Sequence, residues 1–180
     1  YFDSAANRLY LASGGDGTLG MYNGTNLVLD DKIELGDDAD NVRGDVHAGR
    51  IFVGYGSGAL AIATLTGQNL GTIVLGSHPE SFQLEQSGSR IFVNVPKETA
   101  VAVVDRTKKM VVAKWDINGT SANYPMALDE AHRRLFVGWR TPPEIVIFDT
   151  DSGHLVAKLP VVGDTDDLFF DPARRLLYVI

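Results

Sequence analysis

The sequence predicts an all-β chain, a β-propeller segment of about four four-stranded blades. Three observations carry that expectation. A short segment of the form Arg-aliphatic-aromatic returns about every 42 residues. Each return is followed by further short runs rich in Val, Ile, Phe and Tyr, separated by turn residues. No stretch keeps a 3.6-residue apolar period between helix caps, so almost no helix is expected.

The units follow one another along the chain. The first carries Arg8-Leu9-Tyr10-Leu11 and is the least regular, with Gly17, Gly20 and Gly24 around its third strand. The second carries Arg50-Ile51-Phe52-Val53. Its Arg43-Gly44-Asp45 falls on an inner strand and reads as part of the sheet, not as an adhesion motif. In the third, the expected strands are Ser81 to Glu85, Arg90 to Val95, Ala100 to Asp105 and Met110 to Ile117. Val101-Ala102-Val103-Val104 is apolar at consecutive positions, as in a sheet covered on both faces, because side chains alternate between faces.

The fourth unit carries Arg134-Leu135-Phe136-Val137, and Trp115 before it belongs on an outer fourth strand. The fifth contributes Asp167 to Asp171 and Leu176 to Ile180. The aromatic positions are 10, 52, 92, 136 and 178, in steps of 42, 40, 44 and 42. Seven residues before each stands an acid: Asp3, Asp45, Glu85, Asp129 and Asp171. The pairs Asp3/Arg8, Asp45/Arg50, Glu85/Arg90 and Asp129/Arg134 could register the first hairpin of each unit, at about 0.2–1 kcal/mol each.

Val103-Val104-Asp105-Arg106 through Val111-Val112-Ala113, then Asn123-Tyr124-Pro125 and Arg134-Leu135-Phe136-Val137, resembles the YVTN-type propeller repeat, of the WD-repeat-like and quinoprotein amine dehydrogenase-like superfamily. Ile147-Phe148-Asp149-Thr150, Leu155-Val156-Ala157-Lys158 and Gly76-Ser77-His78-Pro79-Glu80 extend the match over essentially the whole chain. The resemblance implies a seven-bladed ring, so residues 1–180 are expected to be one propeller domain truncated at both ends. Tyr1 in place of Met, and Ile180 inside an apolar run, agree with that expectation. A bare blade face of roughly 300 Å² would forfeit on the order of 7 kcal/mol. Pairing of two copies through open faces and a small closed four-blade ring are the other two arrangements. The resemblance further implies a non-catalytic binding scaffold in a periplasmic or secreted location.

Composition narrows the partners. Lys and Arg number 16 against 23 Asp and Glu, a net charge of −7, which argues against nucleic acid and anionic membranes. There is no cysteine, which excludes thiol catalysis, disulfides and thiolate-bound metals. No apolar run approaches the roughly 20 residues of a membrane helix, so no membrane insertion is expected. A protein, a peptide or a cell-surface polymer is the expected partner.

Candidate binding residues come from the loops joining the fourth strand of one unit to the first of the next. These read Gly36 to Asp40, Gly76 to Glu80, Asn118 to Tyr124 and Gly163 to Asp167, and hold seven acids and one histidine. Acids gathered there could hold a divalent cation on oxygen ligands or a basic group of a partner; Asp and Gly also simply shape turns. The residues singled out are Asp40, His78, Glu80, Tyr124, Asp166 and Asp167, with Trp139 and Arg140 as a second rim. Trp139 packing between blades is the alternative for that side chain.

No catalytic residue and no resident cofactor is expected, the divalent cation at the acidic loops excepted. His47, His132 and His154 fall in turns, and no HxH, HExxH or HxxxH pairing offers a zinc site. Ser13-Gly14-Gly15-Asp16-Gly17 reads as a hairpin loop, since no helix follows to bind phosphate. Asn23-Gly24-Thr25 and Asn118-Gly119-Thr120 are sequons that matter only in a eukaryotic secretory setting. The alternative function is a metal-dependent lactonase-like or quinoprotein-like propeller enzyme.

Overall fold

A computed structural model describes residues 1–117 and 121–180. The chain forms five antiparallel sheets, four of four strands and one of two, the propeller-like segment that the repeat predicts. Among the described residues the helical content is a single 3-10 turn, Pro96–Glu98. The sequon Asn118-Gly119-Thr120 lies outside the described residues.

The chain divides into two compact units, Tyr1–Pro79 and Glu80–Ile180. In the first, β1 (Phe2–Asp3), β2 (Arg8–Ser13), β3 (Thr18–Asn23) and β4 (Leu29–Glu34) form one sheet in chain order. The next sheet is β5 (Val42–Asp45), β6 (Arg50–Tyr55), β7 (Ala59–Thr64) and β8 (Asn69–Val74). They share one core, in which Tyr10, Leu19 and Met21 of the first meet Ile51, Val53 and Ala61 of the second.

In the second unit, β9 (Phe82–Leu84), β10 (Arg90–Val95), β11 (Ala100–Asp105) and β12 (Met110–Asp116) make the third sheet. The fourth is β13 (Ser121–Asp129), β14 (Arg134–Thr141), β15 (Pro143–Asp149) and β16 (Leu155–Pro160). The fifth has two strands, β17 (Leu168–Asp171) and β18 (Leu176–Val179). Phe92 and Val103 of the third sheet pack with Leu135, Val137 and Phe148 of the fourth. Phe136 of the fourth packs with Leu168, Leu177 and Val179 of the fifth.

Burial follows strand position. The second and third strands of the third sheet are buried almost throughout, Ile91, Phe92 and Val93 among them. The fourth strands are outermost, and β4, β8, β12 and β16 are mostly exposed. Trp115 lies on β12 as expected, its ring 5.3 Å from that of Phe92 and 5.8 Å from that of Phe148. Gly153 permits this placement: it holds φ at +71°, and a Cβ there would meet the Trp115 indole at 2.3 Å.

A bulge recurs where the third strand pairs with the fourth, at Met21/Tyr22, Ile62/Ala63, Val103/Val104 and Ile147/Phe148. Each one increases the local right-handed twist of its sheet.

The repeating acids do a different task from the one expected. The short aspartate side chains accept amide hydrogens of their own turns. Asp3 accepts from Ala5 and Ala6 at 3.0 and 3.1 Å, Asp129 from His132 at 3.2 Å, and Asp171 from Ala173 and Arg174 at 2.9 and 3.0 Å. The arginines reach elsewhere: Arg8 to the Leu65 carbonyl at 3.3 Å and Arg134 to Asp149 at 2.9 Å. The acid–arginine pair does form at Glu85, whose longer side chain reaches Arg90 Nε at 3.0 Å.

A second series closes the turns between third and fourth strands, with Asn23, Asp105 and Asp149 accepting turn amides. Asp105 shows the strength of this device. Its carboxylate accepts from the Thr107 hydroxyl at 2.6 Å and from the Lys108 amide at 3.0 Å, and its pKa falls to about 2. A folded-state value below the ordinary 3.8 means that the contribution is fully present above that pH and disappears as pH falls through about 2. The stability gap between wild type and Asp105→Asn, from urea unfolding at stepped pH, is therefore expected to narrow steadily from pH 5 to pH 2. A gap constant over that interval would contradict the assignment.

Candidate functional site

In the second unit, three loop candidates come together at the end of the sheets opposite the aspartate-closed first hairpins. The expected loop from Asn118 to Tyr124 is corrected in part: β13 already begins at Ser121, so Tyr124 is a strand residue. A bulge between Asn123 and Met126 re-aims this stretch. Trp139 and Arg140 are likewise within β14, not in a loop, because the chain turns back tightly at Pro142 into β15.

Arg140 is the hub. Its guanidinium lies 4.7 Å from the centroid of the Tyr124 ring. It pairs with Asp164 at 3.3 Å and with Asp166. The Asp164 and Asp166 side chains are 86% and 75% exposed, so the cluster faces solvent. Buried Thr165 holds the loop between them, its hydroxyl donating to the Val162 carbonyl at 3.1 Å. Asp167 has a different place: its carboxylate accepts the Leu168 amide at 2.9 Å, and its backbone exchanges hydrogen bonds with Ile180.

Two fully buried amides fix Tyr124 from beneath. Asn94 Nδ2 donates to the Tyr124 carbonyl at 3.0 Å, and Asn123 Nδ2 donates to Asn94 Oδ1 at 3.1 Å and to the Ala100 carbonyl at 3.2 Å. Sequence reasoning missed this pair. The signal was present: position 94 stands two residues after the repeat aromatic, where Ala12, Gly54 and Gly138 stand in other copies. A polar residue at a small-residue position marks a local requirement.

Trp139 does not join the rim. Adjacent strand residues point to opposite faces, and Trp139 is 2% exposed within the core between the third and fourth sheets. Lys158 Nζ lies 4.4 Å from the centroid of its ring.

In the first unit, His78 Nδ1 lies 2.7 Å from the Gly56 carbonyl, an arrangement assigned as N–H donation. Asp38 Oδ2 is 3.5 Å from Nδ1, and ligand atoms of Asp40 and His78 lie within 4.8 Å of one another. The Asp40 amide donates to the Gly54 carbonyl at 2.9 Å, which orients this loop. Glu80, the first residue of the second unit, donates its amide to the Asn94 carbonyl at 2.9 Å.

The chain is similar in structure to hydrazine synthase from Kuenenia stuttgartiensis, with a TM-score of 0.84 and 12% sequence identity. The match covers 96% of this chain and 52% of the other, so the chain spans about half the length of that protein. It is one of 1099 solved chains that match, a breadth that shows a widely shared fold. No protein-family model matches the sequence, and no curated protein does. At such identity the likeness shows the propeller-like fold and nothing about chemistry.

The surface cluster and its buried support differ in what they contribute to stability. An exposed cation–π contact and exposed ion pairs together contribute about 1 kcal/mol. Arg140→Ala is therefore expected to lower unfolding free energy by about 1 kcal/mol, whereas Asn123→Ala strips Asn94 Oδ1 of a buried donor and costs about 2 kcal/mol or more. Urea unfolding of both variants decides this, and the reverse order would refute it.

Proposed function

We propose that the protein is a non-catalytic binding scaffold that captures a protein, a peptide or a cell-surface polymer at the loop end of its sheets. The observation that carries the reading is the Tyr124–Arg140–Asp164–Asp166 cluster. It offers an aromatic face, a guanidinium and two exposed carboxylates on a fixed backbone. Such groups are effective anchors because little side-chain entropy remains to be lost on binding. Membership of the YVTN-type propellers and a periplasmic or secreted location belong to the same reading, supported by the repeat resemblance.

Selection of the purified chain against a displayed peptide library and a glycan array tests it. Binders are expected to lose at least tenfold in affinity with Arg140→Ala and with Asp166→Asn. They are expected to be unaffected by Lys108→Ala, in a turn at the opposite end of the third sheet. Binding indifferent to both site variants would overturn the assignment.

A second reading, a metal-dependent enzyme of the lactonase-like kind, is favoured by one observation. A histidine whose Nδ1 is held by a carbonyl, with a ligand atom of Asp40 within 4.8 Å of one of its ring nitrogens, has a setting in which metal ligands are found. Calorimetric titration with Ca²⁺, Mg²⁺ and Zn²⁺ separates the two readings. One equivalent bound by wild type and lost in both His78→Ala and Asp40→Asn supports the enzyme. No binding at millimolar metal removes it.

A further inference from the structure

Three buried polar atoms of the second unit lack a hydrogen-bond partner among the described residues: Asn123 Oδ1, Trp139 Nε1 and Glu144 Oε2. They belong to one row of the fourth sheet. Asn123 stands opposite Trp139 across β13 and β14, and Trp139 opposite Glu144 across β14 and β15. Side chains directly opposite in antiparallel strands share a face. Here that face meets the third sheet, where Asn123 bonds to Asn94 and Ala100 and Trp139 packs in the shared core. Asn123 is fully buried and Trp139 nearly so. At the outer edge Lys158 Nζ lies 3.8 Å from Glu144 Oε2, beyond hydrogen-bond reach, and over the Trp139 ring.

The repeat does not demand polar groups at this level. Trp139 stands three residues after the repeat aromatic. The same rung of the third sheet is Val95 opposite Ala100, both buried. In the second sheet it is Tyr55 opposite Ala59, and the Tyr55 hydroxyl meets that of Thr72 at 3.0 Å. The unmet groups are thus peculiar to the fourth sheet, and buried polar groups without partners call for an explanation.

Their chemistry defines what fits. The indole N–H donates, whereas the amide oxygen and the carboxylate oxygen accept. A bare anion has no hydrogen for the two oxygens, and a metal ion or an ammonium has no lone pair for the indole. One water molecule, with two hydrogens and a lone pair to offer, is the complement of all three.

We propose that the third and fourth sheets hold an ordered internal water at this row, which accepts from Trp139 Nε1 and donates to Asn123 Oδ1 and Glu144 Oε2. The water extends the Asn94–Asn123 amide pair outward to Glu144 and Lys158, and so ties the support beneath Tyr124 to the outer strands. This site rests on burial between two four-stranded sheets and is independent of the binding reading.

Cross-relaxation between water and protein protons in NMR tests the proposal. The chain has two tryptophans, so the Trp139 indole proton is readily assigned. In wild type it is expected to show a cross-peak to water of opposite sign in the laboratory and rotating frames, the mark of a water that tumbles with the protein. Relaxation dispersion of the water oxygen is expected to lose one long-lived molecule in Glu144→Met and to keep it in Glu144→Gln, which retains an acceptor, with far-UV circular dichroism unchanged in both. A folded wild type without that cross-peak overturns the proposal. So does a dispersion amplitude that Glu144→Met leaves unchanged.

Discussion

Everything in this fold depends on the coverage of both faces of a sheet. A strand alternates its side chains, so consecutive apolar residues such as Ile91-Phe92-Val93 commit a sheet to two apolar faces. One sheet cannot bury both of them. Neighbouring sheets answer this need in each unit, through an aromatic set between two aliphatics of the following copy. Exposure is graded by the same constraint. Phe92 is fully covered by a four-stranded neighbour, while Phe136 faces a two-stranded one and is half-buried.

The parts of the structure that repeat were legible because repetition averages over local detail. Five aromatics at near-constant spacing placed every second strand, and the turn residues between them placed the others. The repeating acids depart from expectation for a reason of reach. An aspartate carboxyl sits close to its own backbone and satisfies turn amides before it can extend to an arginine across the hairpin. Only side-chain length distinguishes Glu85, and the register alone does not reveal it. The rim departs for a different reason. Trp139 and Arg140 are neighbours in sequence, but neighbours in a strand face opposite ways, so one enters the core and the other meets solvent.

The site residues depart from the repeat, and for that reason periodicity could not place them. Tyr124 owes its position to a bulge and to the Asn94–Asn123 amide pair, both peculiar to one pair of sheets. Arg140 owes its position to the loop around Thr165. A non-repeating feature on a repeating frame gains rigidity from the frame without constraining it. The buried amides require their partners, since an unpaired polar group in a dry interface is costly, whereas the surface cluster tolerates substitution.

The two ends of the sheets are alike in composition and opposite in chemistry. At one end Asp3, Asp129, Asp149 and Asp171 each commit one carboxylate oxygen to the amides of their own turns. These carboxylates are structural, and the lowered pKa values of Asp149 and Asp171 follow from the amides they accept. At the other end Asp164 and Asp166 reach outward and meet a side chain, Arg140, that is itself stacked on an aromatic ring. A side-chain partner on a solvent-exposed pair can be exchanged for a ligand group at small cost, whereas a turn amide cannot be exchanged without opening the hairpin. The acidic character of the chain thus divides into carboxylates committed to turn amides and carboxylates that face solvent beside a side-chain partner, and it is the second set that the loop end of the second unit displays.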